Sequence, residues 1–470
     1  MSEHRGTDAT EVHHRLTIIV IIATLISAVG GILFGFDTGV ISGAILFLQQ
    51  EWHLTTGEES IATSSVLIGA IVGAILGGYM ADRFGRKISV IIGSVMFIVG
   101  TLIVVVSDGL TVFVPGRILI GMAIGLASFI VPMYISELAP RRIRGALVSF
   151  NQLFVTAGIL ISYAVNNYFS ATGDWQAMFA VGLIPGVILL VGMAFMPFSP
   201  RWLVYKGRND QAKKVLQRVH GTQDVQGEIN QIEKEIKVET KGLKALLANF
   251  VRYPLIIGVG LAIFQQITGV NTIIYYAPTI FQYAGFGSAS ASIAATTGVG
   301  VANFLVTVLA VLIVDRVGRR PLLLIGIAGM VISLVVLGAG FALSSGTTGG
   351  TVGTVTALSL IAYISFFAIG LGPVFWLLIS EIFPLEVRGT AMSVATVANW
   401  GANFIITLTF LHLVELLGQS GTFWLFAAIG VVSFIFAWRL TPETKGLSLE
   451  RIEEHFKKGG HPRDLRPPRP

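Results

Sequence analysis

Lysine and arginine occur in only every second gap between the long apolar stretches of this chain, and that alternation excludes most folds at once. A helix needs about 20 apolar residues to cross the hydrocarbon core of a bilayer. Twelve such stretches occur, near 16–48, 61–81, 88–107, 111–136, 146–169, 175–197, 253–283, 290–314, 321–343, 353–380, 389–416 and 421–440. Only 12% of the residues are charged, against about 25% in soluble domains. The even-numbered gaps hold Arg83, Arg86 and Lys87, then Arg141, Arg142 and Arg144, then most of the remaining basic residues, then Arg316, Arg319 and Arg320, then Arg388. Basic residues stay on the cytoplasmic side, so both termini are expected there. The net charge of +6 is thereby a topology signal and leaves nothing over for a nucleic-acid face. Residues 1–15 are polar without a cleavable signal pattern and are expected to be a cytoplasmic tail. Loops are short and the outside gaps hold no N-x-S/T, which fits a prokaryotic plasma membrane.

The stretches divide six and six around a polar segment, 199–252. The expected layout is a tail (1–15), a first bundle (16–198), a cytoplasmic helical segment (199–252), a second bundle (253–440) and a second tail (441–470). Within 199–252, Ile229, Ile232 and Ile236 recur at helical spacing, and Leu449, Ile452 and Phe456 repeat the pattern after the last stretch. The end, GGHPRDLRPPRP, is Pro- and Arg-rich and is expected to be disordered. ADRFGRK (81–87) returns as VDRVGRR (314–320), and ELAPRRIRG (137–145) returns as EIFPLEVRG (381–389). Two motifs recurring at the same place in each half mean a duplicated six-helix unit, the plan of a transporter with a site at the midplane between two bundles. A membrane enzyme would need clustered His, Cys or paired carboxylates, which the sequence lacks. The chain has no Cys at all, so thiolate metal sites are excluded, and no cofactor or metal is expected.

Asp37 is the one charge between Leu16 and Leu48. Placing Asp at the centre of a membrane helix costs about 2.5–3.5 kcal/mol on insertion scales, so it needs a partner or a task. Arg117, the basic residue well inside a stretch of the same half, is the natural partner. Gly31, Gly35, Gly39 and Gly43 share the helix face opposite Asp37 and are suited to tight packing on a neighbour. The seventh stretch reads FQQITGVNTIIYYAP. It carries Gln265, Gln266 and Asn271, with Gly269 and Pro278 positioned to break the helix where it lines a cavity. Gln152, Asn303, Asn399 and Asn403 add further amides inside stretches, and Trp376 and Trp400 add aromatic faces. A lone intramembrane amide is ordinary helix–helix glue. A cluster that donates and accepts at once, beside aromatic rings, matches a neutral polyhydroxylated solute better than an ion or a lipid.

The paired D-R-x-G-R-[RK] loops, QQITGVN, GLGPVFW and PETKG (442–446) together resemble the sugar porter family of the major facilitator superfamily, over residues 16–457. The resemblance implies an all-α membrane protein of twelve helices in two six-helix bundles with a cytoplasmic helical cap, working as a monomer. It implies sugar contacts at Gln152, Gln265, Gln266, Asn271, Asn303, Trp376, Asn399 and Asn403, with Trp400 nearby. It implies a proton-coupling pair, Asp37 and Arg117; facilitative members carry an amide at the position of Asp37. Gating salt bridges would involve Asp82, Arg86, Glu137, Arg144, Asp315, Arg319, Glu381, Arg388 and Glu443. The family's P-E-S-P-R is here PFSPR (197–201), with Phe198 in place of the acid. The expected function is import of a monosaccharide, a hexose such as glucose, with a proton. A facilitative uniporter of the same fold is the alternative, and a non-transporting sugar receptor stands behind both.

Overall fold

The computed structural model describes residues 17–139, 144–222, 224–238, 243–343 and 350–465, and every regular element in them is helical. In the first half α1 (Ile18–Trp52), α2 (Thr56–Arg83), α3 (Arg86–Val105), α4 (Leu110–Leu138) and α5 (Arg144–Phe169) are followed by α6 (Trp175–Ala180) and α7 (Leu183–Phe195), which together make one interrupted crossing. Then come α8 (Pro200–Tyr205), α9 (Asn209–His220) and α10 (Gln226–Val238). The second half opens with another broken crossing, α11 (Arg252–Ile267) and α12 (Val270–Tyr283). It continues through α13 (Ala289–Val317), α14 (Arg319–Leu343), the broken pair α15 (Thr351–Ile369) and α16 (Leu371–Ile382), α17 (Arg388–Leu440) and α18 (Leu449–Lys457). Ten stretches of the described residues are long and apolar enough to cross a membrane. One of them, α17, turns back at Gly418 (φ 70°) and so crosses twice. With the 26 residues of α5 the total reaches the expected twelve. The outer faces suit lipid: Ile75, Leu305, Leu312 and Ile332 are all more than half exposed.

The glycine pattern sets how closely the helices approach. On α1, Gly31, Gly35, Gly39 and Gly43 all face α5, and a Cβ on Gly35 would land on the Val155 carbonyl. Gly69 and Gly73 of α2 meet the backbone of α4 at Ile118 and Met122 in the same way. Backbone contact of this kind drives packing where lipid removes the hydrophobic force between helices. Because the stripe turns one side of α1 to α5, Asp37 on the other side turns towards α4.

The loops rich in basic residues gather at one end with α8, α9 and α10. These three helices close on a small apolar core of Trp202, Leu203, Ala212, Leu216, Val225 and Ile229, with Ile232 and Ile236 against it. Trp202 Nε1 ties this group to the membrane part by donating to the Asp82 carbonyl at 3.1 Å. In α18, Ile452 and Phe456 are buried as expected, but Leu449 is 40% exposed, because it lies in the first turn, beyond the surface that α18 covers. A second correction concerns the chain's end, expected to be disordered. His461 meets Tyr253 edge-on at 5.6 Å, Arg463 sits 5.1 Å over Trp438, and Leu465 is buried. Ring contacts chosen by position in the fold outweigh a composition that suggested none. Residues 1–16, and with them the predicted N-terminal tail, and residues 466–470 lie outside the described residues.

Candidate functional site

Asp37 and Arg117 meet. An Arg117 Nη1–H donates to Asp37 Oδ1, with Arg117 fully buried and Asp37 3% exposed. The guanidinium carbon lies 5.5 Å from the Phe179 ring. Nε and Nη2 of Arg117 have no hydrogen-bond partner among the described residues. The pair is buried, and among the described residues each charge has the other as its ionic partner. Breaking such a pair from one side costs about 3–5 kcal/mol.

The amides of the second half form a separate network at the break in the seventh crossing. Gly269 adopts φ 93°, a left-handed conformation that glycine takes without strain, and stands between α11 and α12. Gln266 Nε2 donates to Asn399 Oδ1 at 3.0 Å, and Asn271 Nδ2 donates to Gln266 Oε1 at 2.8 Å. Asn399 Nδ2 donates to Gln265 Oε1 at 2.8 Å, and Gln265 Nε2 donates to the Leu371 carbonyl at 2.8 Å, where the tenth crossing is itself broken. Thus four of the predicted residues, on α11, α12 and α17, share one chain of hydrogen bonds. Asn403 stands one turn further along α17 and reaches the Tyr275 hydroxyl at 3.5 Å. Trp400 packs on Phe34 of α1 with ring centroids 5.3 Å apart, across the two halves. Trp376 is half-buried against Phe375, Gln152 is half-buried on α5, and Asn303 is buried on α13. Among the described residues these three make no hydrogen bond to the amide chain.

Broken helices leave backbone carbonyls without partners, and tyrosines fill them. Pro278 has no N–H for the Ile274 carbonyl, and Tyr163 of α5 donates its hydroxyl there at 3.0 Å. The Thr268 carbonyl, at the end of α11, accepts from Tyr363 of α15 at 2.8 Å. Neither tyrosine's task is legible beforehand, since an isolated Tyr in an apolar stretch looks the same whichever way it points. Tyr275 lies near Thr38, Asp37 and Arg117, and its hydroxyl also meets Asn403 of the amide group.

Further ties between the halves occur at the end opposite the basic loops. Thr56 Oγ1 donates to Glu415 Oε1 at 2.5 Å, and Ser290 Oγ donates to the Ser170 carbonyl at 3.2 Å. The molecule is closed at that end. At the basic end each described ion pair lies within one half. Arg86 binds Glu137 at 2.7 Å and approaches Asp82 at 3.9 Å, while Ser199 donates its hydroxyl to Glu137. Arg319 binds Glu381 at 2.8 Å and Asp315 at 2.9 Å, while Thr444 donates to Glu381 at 2.5 Å. The duplicated motifs thus fold into duplicated triads. The backbone of Arg144 opens α5, but its side chain lies outside the described residues; Arg388 Nε donates to the Phe383 carbonyl at 3.1 Å.

The triads differ at one position. Glu443 accepts from the N–H groups of Arg319 and Arg320, both at 3.1 Å, at the start of α14. Phe198 is the matching residue in PFSPR. It stacks on Trp202 with centroids 5.5 Å apart and lies 5.1 Å below the Lys87 ammonium. An aromatic sandwich replaces a carboxylate at the start of α3.

A family model described as "Sugar (and other) transporter" matches residues 23–456. The chain is 45% identical over 430 residues to the putative metabolite transport protein YwtG of Bacillus subtilis (strain 168), covering 92% of this chain and 93% of that protein. It is 38% identical over 442 residues to the galactose-proton symporter of Escherichia coli (strain K12), covering 94% and 95%. Among solved structures it is similar to the proton:xylose symporter XylE bound to 6-bromo-6-deoxy-D-glucose, with TM-score 0.80, 35% identity, and 94% and 100% of the two chains covered. Likeness of this extent in sequence and in fold has one consequence: the chain belongs to the sugar transporter family of the major facilitator superfamily, a family of membrane carriers and not of enzymes.

Proposed function

We propose that this chain imports a monosaccharide, a hexose such as glucose, together with a proton by alternating access. The observation that carries the proposal is the proximity of two sites of different chemistry. A buried carboxylate–guanidinium pair on α1 and α4 adjoins, through Tyr275, an amide cluster on α11, α12 and α17. The amides at present satisfy one another. Sugar hydroxyls, which donate and accept, would replace those bonds one for one, so loading the site leaves few buried groups unpaired. Relatives named for galactose and xylose carry a proton with the sugar. Asp37 would bind the proton, and its protonation would free Arg117. Gln152, Gln265, Gln266, Asn271, Asn303, Trp376, Asn399, Trp400 and Asn403 would meet the sugar as the halves rock.

The basic loops put the triad end in the cytoplasm, so the closed end is the outer one. In the opposite state the triads of Arg86 and Arg319, with Arg144 and Arg388, would latch the inner ends of the two halves. Uptake of a labelled sugar panel into proteoliposomes, with and without an imposed proton gradient, tests the proposal. Accumulation above equilibrium only with the gradient is expected. Uptake that never exceeds equilibrium would leave a uniporter, and binding without any uptake would leave a receptor.

A further inference from the structure

The outer closure contains a carboxylate that the proposed function does not use. Glu59 lies in the first turn of α2 and is 5% exposed. Sequence hydropathy places the start of that crossing at 61 and leaves Glu59 in a loop; the helix in fact begins at Thr56, capped by Thr55 and Glu58. Glu59 is bonded to no cation among the described residues. Near it the hydroxyls of Ser60 and Thr63 on α2, and of Tyr276 on α12, are buried without a hydrogen-bond partner among the described residues. The Tyr276 side chain lies near Ser60 and Thr63, and Tyr276 and Tyr283 both lie near Glu59.

The other titratable groups nearby are already engaged or point elsewhere. Glu58 is spent on the cap, Glu51 at the end of α1 accepts from Trp175, and Glu415 of α17 accepts from Thr56. His53 and His412 are exposed. Asp108 lies in the turn before α4, whose outer half has Arg117 as its titratable group, and that is held by Asp37. An ionised carboxylate with no cation is costly to bury, whereas its acid form is cheap and supplies an O–H to the surrounding acceptor hydroxyls. A seam of half-satisfied hydroxyls is also suited to parting, since water meets them when it opens.

We propose that Glu59 is a second proton-binding carboxyl, seated in the outer gate, which takes up a proton as the gate shuts and releases it to outside water as the gate opens. External acid would then favour closure behind an arriving sugar. This rests on taking the closed end as the outer one in an alternating-access carrier. The uninterrupted helix of α2 keeps its own carbonyls engaged, so one carboxylate and hydroxyls are too weak a donor set for a cation.

The native chain has no Cys, so spin labels can be placed at Gln50→Cys on α1 and at Leu416→Cys on α17, and the distance between them measured in nanodiscs. The background is Asp37→Asn, which removes the other titrating carboxylate and separates this proposal from the symport proposal. The long-distance, open population should grow with pH between 5.5 and 8.5, by up to about tenfold per pH unit, the limit for one linked proton. Adding Glu59→Gln, isosteric with the acid form, should hold the gate closed at every pH. Glu59→Asp should keep a pH response. A response unchanged by Glu59→Gln, no response with Glu59 present, or a response to sodium instead of pH would overturn the proposal.

Discussion

Replacing Asp37 by Asn tests the coupling proposal most directly, because it keeps size and a hydrogen-bond acceptor while removing the proton site. Two magnitudes follow from the structure. The first concerns transport. A membrane potential supplies about 2.3 kcal/mol per charge per 100 mV, which sustains a sugar gradient of about fifty-fold at one proton per sugar. The variant should lose that gradient entirely and settle at equal concentrations, while labelled sugar still exchanges downhill. The second concerns stability. Arg117 is fully buried, and among the described residues its Nε and Nη2 have no hydrogen-bond partner and Asp37 is the counter-charge bonded to it. Neutralising Asp37 strands a buried cation, at a cost of up to about 3–5 kcal/mol. Removing both charges in Asp37→Asn/Arg117→Gln should recover much of it, because two neutral groups need no mutual compensation. Proteoliposome accumulation and counterflow read the first effect; thermal unfolding of the two singles and the double reads the second. If Asp37→Asn still concentrates sugar, the coupling role is wrong. If the double is no more stable than the singles, the picture of two charges held only by each other is wrong.

Gln265→Ala removes the acceptor of Asn399 and the donor to Leu371, so sugar binding should weaken by about 1–3 kcal/mol. Equilibrium binding in detergent checks this, and an unchanged affinity would make Gln265 a purely structural amide. Phe198→Glu would place a carboxylate where Glu443 stands in the other half, facing the N–H groups at the start of α3. A gain of about 0.3–1 kcal/mol in stability is expected from the helix dipole, with a loss for Glu443→Phe, both read by thermal unfolding. The docking of α18 should be acid-sensitive. Burial alone would raise the Glu453 carboxyl, but the Lys457 ammonium and the Leu385 N–H hold it below its ordinary range, while Glu386 and Glu453 push Lys457 up to about 12. A lowered carboxyl contributes above its unfolded-state value and loses that contribution as pH falls through its folded value. Amide protection in α18, taken relative to intrinsic exchange at each pH, should therefore fall below about pH 4 and stay flat through neutral pH.

How much could be read beforehand varies with the physics of each residue. Asp37 and Arg117 were visible because a charge in an apolar stretch must be compensated, and one acid and one base in the same half left little choice. The amides were visible as a set, but their wiring was not. Gln265 and Gln266 point about 100° apart on a straight helix; Asn399 of α17 joins them by bonding both, and Asn271, beyond the break at Gly269, bonds back to Gln266. Glu59 was hidden because hydropathy discounts a polar first turn, and because α2 packs on α17, more than three hundred residues away in sequence. The duplicated loops show both a success and a limit. Repetition announced a shared structural role, yet it does not say which residues pair; the described bonds of Glu137 and Glu381 run to Arg86 and Arg319. Each triad spans the loop after the second helix of its half, the end of the fourth and the residue after the sixth, so it staples one bundle before it can latch two. At the residue before Ser199, however, the first half has Phe198, while the residue before Thr444 is Glu443, which anchors the start of α14. The first-half staple therefore lacks one charged anchor, and Arg86 with Lys87 should be freer to change partners when the inner ends close.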